Sequence, residues 1–223
     1  ACRSTKGGCG SMNREEFLRD CWAYYIMLEE KFIHTLDFVA LSTDNEATYS
    51  NEYAGLIQMI GAEMDSFFKE YCGFAPTDNK NISHYYPVVT ADFPDVTNQE
   101  VHIRMADMTI KPFDGWNGHQ PKQSLFWWKA FDNIKHSRIV NKKDGCQKTT
   151  LYALAALYLL EMKYLQKITD GTQEPNIPNE NSKIFSLPKW KFHFLDAKDV
   201  FMQLHDDAVV LGGGNASSKK NLA

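Results

Sequence analysis

Cysteine is scarce and shows no pairing pattern. After a small, polar leader (ACRSTKGGCGS), only Cys21, Cys72 and Cys146 remain, far apart and odd in number. No CxxC and no Cys/His ligand spacing occurs, so neither a disulfide framework nor a zinc site is supported. His193 with Asp196, and His205 with Asp206 and Asp207, also lack ligand spacing, and no metal or other cofactor is expected. A long hydrophobic run is missing as well. The longest, Leu151–Leu160, is too short to span a bilayer and continues into Glu161 and Lys163. The leader lacks the apolar stretch of a secretion signal. Gly10-Ser11-Met12 reads as a cloning scar before a native initiator, with residues 1–11 as its remnant. A soluble, cytoplasmic protein with no membrane partner is the expectation. A basic excess is absent too: at a net charge of −4 the chain does not coat nucleic acid indiscriminately, and any such contact needs a local basic patch. No GxSxG, P-loop or Rossmann glycine fingerprint is found, and no internal repeat.

What is present fits one helical domain. Hydrophobic residues at 43% and charged residues at 23% are ordinary for a globular chain. Aromatics, at 13%, are clustered enough to dominate the core. Asn13 caps a first helix reaching Leu41, with Glu15 and Glu16 in its first turn. A second helix begins near Ser42–Asp44, with Thr43 and Glu46 as a capping box, and stops at Gly73. Prolines at 76, 87, 94, 112 and 121 make residues 74–121 a loop-rich insertion. Within it Val101–Met105 and Met108–Pro112 alternate apolar and polar residues, as a small hairpin does, and KPFDGW (111–116) reads as a turn seating Phe113 and Trp116. A third helix spans Gln123–Arg138 and a fourth Gln147–Thr169, the latter apolar on nearly every face and so the buried centre of a bundle. A linker (171–183), a short aromatic segment, a short helix over Ala197–Asp206 and a disordered tail (212–223) follow. The expected fold is mainly α: a four- to five-helix bundle over residues 12–211, with the insertion carrying the hairpin.

The stretch LFWWKAFDNIKHSR (125–138) carries the candidate site. At about 100° per residue, Trp127, Ala130, Phe131 and Ile134 share one face, while Lys129, Asp132, Asn133 and His136 share the other. Asp132 and His136 are four apart, so carboxylate and imidazole are neighbours. Arg138 falls back toward the apolar side, where its head can reach another helix. Between residues 129 and 148, six cations (Lys129, Lys135, Arg138, Lys142, Lys143, Lys148) stand against Asp132 and Asp144, a local excess able to meet phosphate.

WWKAFDNIKHSR, followed by LYALAALYLLE (151–161), resembles a W-W-x-A-Y-N-x-V-K-H-x-R pattern in uncharacterised bacterial helical proteins. More distantly, a polar residue and then a histidine late in a bundle helix resembles the HEPN superfamily. That resemblance implies a four- or five-helix domain of bacterial defence or stress systems, such as phage defence, binding RNA or nucleotides. In active members, an arginine, a polar residue and a histidine cleave RNA without metal, across a dimer. Asn133 and His136 match the polar and histidine positions; the arginine position holds Phe131 or Asp132, and Arg138 follows the histidine.

Three functions follow. In the first, the protein binds or processes RNA: His136 is the general acid/base, Lys135 and Arg138 steady phosphorane charge, and Asn133 orients the phosphate. Lys129, Asp132, Lys142 and Lys143 then contribute to binding. In the second, a non-enzymatic bundle docks a protein partner, or a second copy, through its polar helix face and the aromatic residues of 85–121. In the third, a small ligand such as a nucleotide enters between bundle and insertion, against Trp116, Trp128 and Tyr85 or Tyr86.

Overall fold

The computed structural model describes residues 12–194. The leader, the helix expected over Ala197–Asp206, the tail, and Asp196, His205, Asp206 and Asp207 lie outside them. Among the described residues there are six helices and a three-stranded sheet.

Helix α1 runs as Arg14–Phe17 and Ala23–Thr35, joined without a break by one π-helical turn, Leu18–Trp22. Asn13 caps it as expected: its Oδ1 accepts from the Glu16 amide at 3.0 Å and its own amide donates to Glu16 at 3.1 Å. The helix ends at Thr35, short of Leu41. The carbonyls of Val39 and Ala40 accept instead from the Gln147 side chain, at 3.3 and 3.1 Å.

Helix α2, Asn51–Cys72, starts later than the sequence suggests. Thr43–Asn45 makes only a 3₁₀ turn, and Glu46 pairs with Lys148 at 2.7 Å rather than closing a capping box. Ser50 is the cap, its hydroxyl accepting from the Tyr53 amide at 3.0 Å. Gly73, at φ 69°, ends the helix as expected.

The insertion is more ordered than its prolines imply. Helix α3, Ile82–Asp92, contains Pro87, and Asn81 caps it with His84. Pro87 removes one helical donor, but it and Ser83, whose carbonyl is left without that donor, both face solvent, so water can meet the carbonyl. The hairpin forms where alternation placed it: β1 (Val101–Ile103) pairs antiparallel with β2 (Met108–Ile110). A third strand, β3 (Phe185–Ser186), adds to the other edge of β1, giving the order β2-β1-β3. In the KPFDGW turn, Gly115 has φ 74°, Phe113 and Trp116 are buried, and the Pro112 carbonyl accepts from Trp127 Nε1 at 2.7 Å.

A one-turn helix α4 (Pro121–Ser124) leads into α5 (Phe126–Ser137), and α6 (Gln147–Thr169) has the expected bounds. Helices α2 and α6 are the centre, with α1 and α5 packed on both and α3 on α2. Leu154, Ala155, Ala156, Leu157 and Leu159 are all fully buried, as a helix apolar on every side requires. The chain is therefore mainly helical with a small antiparallel sheet, and no helix among the described residues is long and apolar enough to cross a membrane.

Candidate functional site

Helix α5 divides as its sequence predicts. Trp127, Trp128, Ala130, Phe131 and Ile134 are buried against α2 and α6, while Lys129, Lys135 and His136 are exposed. His136 is open to solvent: its side chain is 72% exposed, with Nε2 3.4 Å from Asp132 Oδ1. Asn133 is tied down. Its Nδ2 donates to Asp144 at 2.7 Å and its carbonyl accepts from Asn141 Nδ2 at 3.0 Å, so it pins the loop between α5 and α6. That spends the amide expected to orient a phosphate.

Arg138 reaches across, as its position on the wheel suggests, and donates to Asn51 Oδ1 at the start of α2 at 3.0 Å. Lys135 lies over the Phe131 ring at 5.5 Å. Lys142 and Lys143 are exposed on the following 3₁₀ turn. Among the described residues, Lys129, Lys135, Lys142 and Lys143 form no ion pair. Lys148 leaves the basic group, because Glu46 neutralises it. Five cations therefore face two carboxylates from Lys129 to Asp144, and Asp144 is already engaged by Asn133.

Neither Phe131 nor Asp132 supplies the arginine that the HEPN resemblance implies: Phe131 belongs to the core and Asp132 is half-buried beside His136. Phe131 packs edge-on against Trp128 at 5.4 Å and over Gly61 of α2. Trp116 and Trp128 are buried as well, both against Phe68 at 6.0 Å. Tyr85 stacks on Phe68 at 5.0 Å and Tyr86 meets Trp116 edge-on at 5.1 Å. These rings fill the space between bundle and insertion, so the two tryptophans offer no open stacking face there.

The same end of the molecule gathers exposed apolar side chains. Ile139 and Val140, just past α5, are 82% and 79% exposed. Phe38, just past α1, is 78% exposed. Gln147 and Arg138 hold the two segments together through Val39, Ala40 and Asn51. Sequence periodicity does not find these residues, because they lie in turns rather than on a helix face.

Sequence reasoning also passed over three polar groups elsewhere. Glu29 is fully buried on α1, and Glu161 fully buried on α6 with neither oxygen hydrogen-bonded among the described residues. Arg104, in the β1–β2 turn, donates its backbone amide to Ile184 at 2.8 Å and its Nε to the Phe185 carbonyl at 3.1 Å. An ionisable residue within an apolar run is the available signal for Glu29 and Glu161; nothing local marks Arg104. Compared with family models, with curated proteins and with solved structures, the chain finds no match.

Proposed function

We propose that the protein binds RNA through the solvent-facing side of α5 and the loop that joins it to α6, and that it does so without cleaving it. The carrying observation is that Lys129, Lys135, Lys142 and Lys143 are exposed and form no ion pair among the described residues, close in the chain to His136 and Arg138, while the net charge is negative. Cations left unpaired on an acidic protein favour a polyanion by counterion release. Asp132 and His136 are poised as an acid–base pair, but Phe131 or Asp132 stands where an arginine is expected, and Lys135 and Arg138 are engaged by the Phe131 ring and by Asn51 rather than set to stabilise a phosphorane.

The experiment is fluorescence anisotropy with a labelled single-stranded RNA across a salt series, and gel analysis of the same RNA. Binding is expected to weaken steeply with salt, and the double variant Lys142→Ala/Lys143→Ala to flatten the log–log slope by about 1.4. The RNA should stay intact with the wild type and with His136→Ala alike. A salt-independent or absent interaction overturns the binding reading, and His136-dependent cleavage overturns the non-catalytic one.

Exposed Phe38, Ile139 and Val140 favour a second reading, the docking of a protein partner or a second copy at this end. Ile139→Asp then abolishes an association seen by light scattering, whereas it leaves an RNA contact built on phosphates nearly unchanged.

A further inference from the structure

A cavity lies well away from the basic face. It opens between the π-helical turn of α1, the middle of α6 and the segment 177–194, with a volume of about 230 Å³. Tyr158, which lines it, is eleven residues beyond Gln147, about 16 Å along the helix axis from the α5 end. Its walls are aromatic and aliphatic: Trp22, Met162, Leu187 and Phe192. Trp22 is the last residue of the π turn, and its indole nitrogen donates to the Glu180 carbonyl at 2.8 Å. Such single π turns inside α-helices are frequent at functional sites.

Among the described residues five polar side chains line it: Arg104, which is exposed at its rim, and Tyr158, Asn181, Ser182 and Ser186. Arg104 is oriented by its Nε bond to Phe185, which leaves both terminal guanidinium nitrogens without a partner among the described residues. Tyr158 is buried, with its ring held between Tyr25 at 5.7 Å and Phe185 at 5.5 Å, and its hydroxyl makes no hydrogen bond there. Burial raises the pKa of this phenol, so at neutral pH it is a donor. Among the described residues no carboxylate lines the cavity. The strongest donors are thus a guanidinium fork and a phenol, neither with an acceptor among the described residues, beside Asn181 and Ser186 and against hydrophobic walls.

We propose that this cavity is a binding site for a small organic anion, a carboxylate on an aromatic or branched apolar body, with Arg104 and Tyr158 taking the carboxylate and Trp22, Met162 and Phe192 the body. A planar guanidinium suits a carboxylate in a two-point contact, and a pocket with few convergent polar groups in apolar walls is the usual form of such a site. The volume falls below the ~300–1,000 Å³ of drug-sized sites, which favours a compact ligand over a nucleotide.

Isothermal titration of the full chain with phenylacetate, phenyl phosphate and neutral phenylacetamide tests it. Phenylacetate is expected to bind, with the amide at least about tenfold weaker because a charge-assisted contact is lost. Phenyl phosphate distinguishes the anion: tighter binding than phenylacetate overturns the carboxylate assignment. Tyr158→Phe, which keeps the ring, should weaken phenylacetate about tenfold at unchanged Tm, and Arg104→Gln should weaken it further. Lys142→Ala/Lys143→Ala should leave it unaffected, which separates this site from the RNA face. Absence of binding, equal affinity for acid and amide, or indifference to Tyr158→Phe overturns the proposal.

Discussion

Glu161 sits in the middle of α6, wholly buried, with neither carboxylate oxygen meeting a donor among the described residues. Burial pushes its pKa well above the ordinary 4.5, and the nearby charge of Glu63 on α2 adds to this. Glu63, itself raised by desolvation, acts in the same direction. A carboxyl whose folded-state pKa is raised keeps its proton in the native state while the unfolded chain gives it up first. Its contribution to stability is therefore best below about pH 4.5 and declines as pH rises through the folded-state value. Glu161→Gln should remove the larger part of this decline, leaving the share of Glu63, but keep an unsatisfied amide. Glu161→Met, similar in size and without polar atoms, should raise stability at neutral pH by about 1–3 kcal/mol. Urea unfolding of the three proteins at pH 5, 6.5 and 8 checks both statements. A wild-type decline that persists undiminished in Glu161→Gln would place the pH sensitivity elsewhere.

At the scale of elements, the close approach of α2 and α5 is set by one glycine. A Cβ on Gly61 would overlap the Phe131 ring, whereas a Cβ on Gly55, on the same helix, would meet nothing within 4 Å. Alanine is favoured over glycine inside a helix by about 1 kcal/mol. Gly55→Ala should therefore stabilise by about that amount. Gly61→Ala should instead destabilise by about 1–2 kcal/mol net, because overpacking outweighs propensity. Phe131→Leu in the Gly61→Ala background should recover part of the loss, which a double-mutant cycle in urea measures. This packing also marks how far the elements were legible from sequence. The apolar stripe of α5, the all-round burial of α6 and the stops at Gly73 and Gly171 follow from periodicity and from positive-φ glycines. Helix α3 does not, because Pro87 reads as a breaker and only the exposure of Ser83 and Pro87 makes it tolerable. The start of α2 differs from the Thr43–Glu46 pattern because Glu46 has a tertiary partner, Lys148, that no local rule reveals. The site was half legible. The wheel separates His136 from Phe131, yet the pinning of Asn133 by Asp144 and the cavity at Arg104 depend on chain segments brought together only by folding.

Across the whole molecule, one face of α1 ties the segment 175–184 to the bundle. Arg14 donates to the carbonyls of Pro175 and Ile177 at 2.9 Å each, and Trp22 to that of Glu180 at 2.8 Å. Glu29 accepts from the Tyr25 hydroxyl at 2.8 Å, from the Lys183 and Ile184 amides at 2.9 and 3.3 Å, and from the Ser182 hydroxyl. Residues 14, 22 and 29 are eight and seven apart, so they recur on one side of the helix. The buried carboxylate is offset by these donors, and it fixes the backbone that enters β3 and forms one wall of the cavity. Hydrogen bonds to a charged group contribute about 1.5–3 kcal/mol each, and those of Glu29 converge on one short segment. Glu29→Ala should consequently release 175–190 as a local unit rather than unfold the bundle, whose helices pack through other side chains. Hydrogen exchange followed by mass spectrometry should show protection lost in that segment and in β1, with α2 and α6 unchanged. The same variant should lose phenylacetate binding while RNA binding at the α5 end persists, since that face shares no residue with the strap. Uniform loss of protection across α2 and α6 would instead make Glu29 a keystone of the entire core.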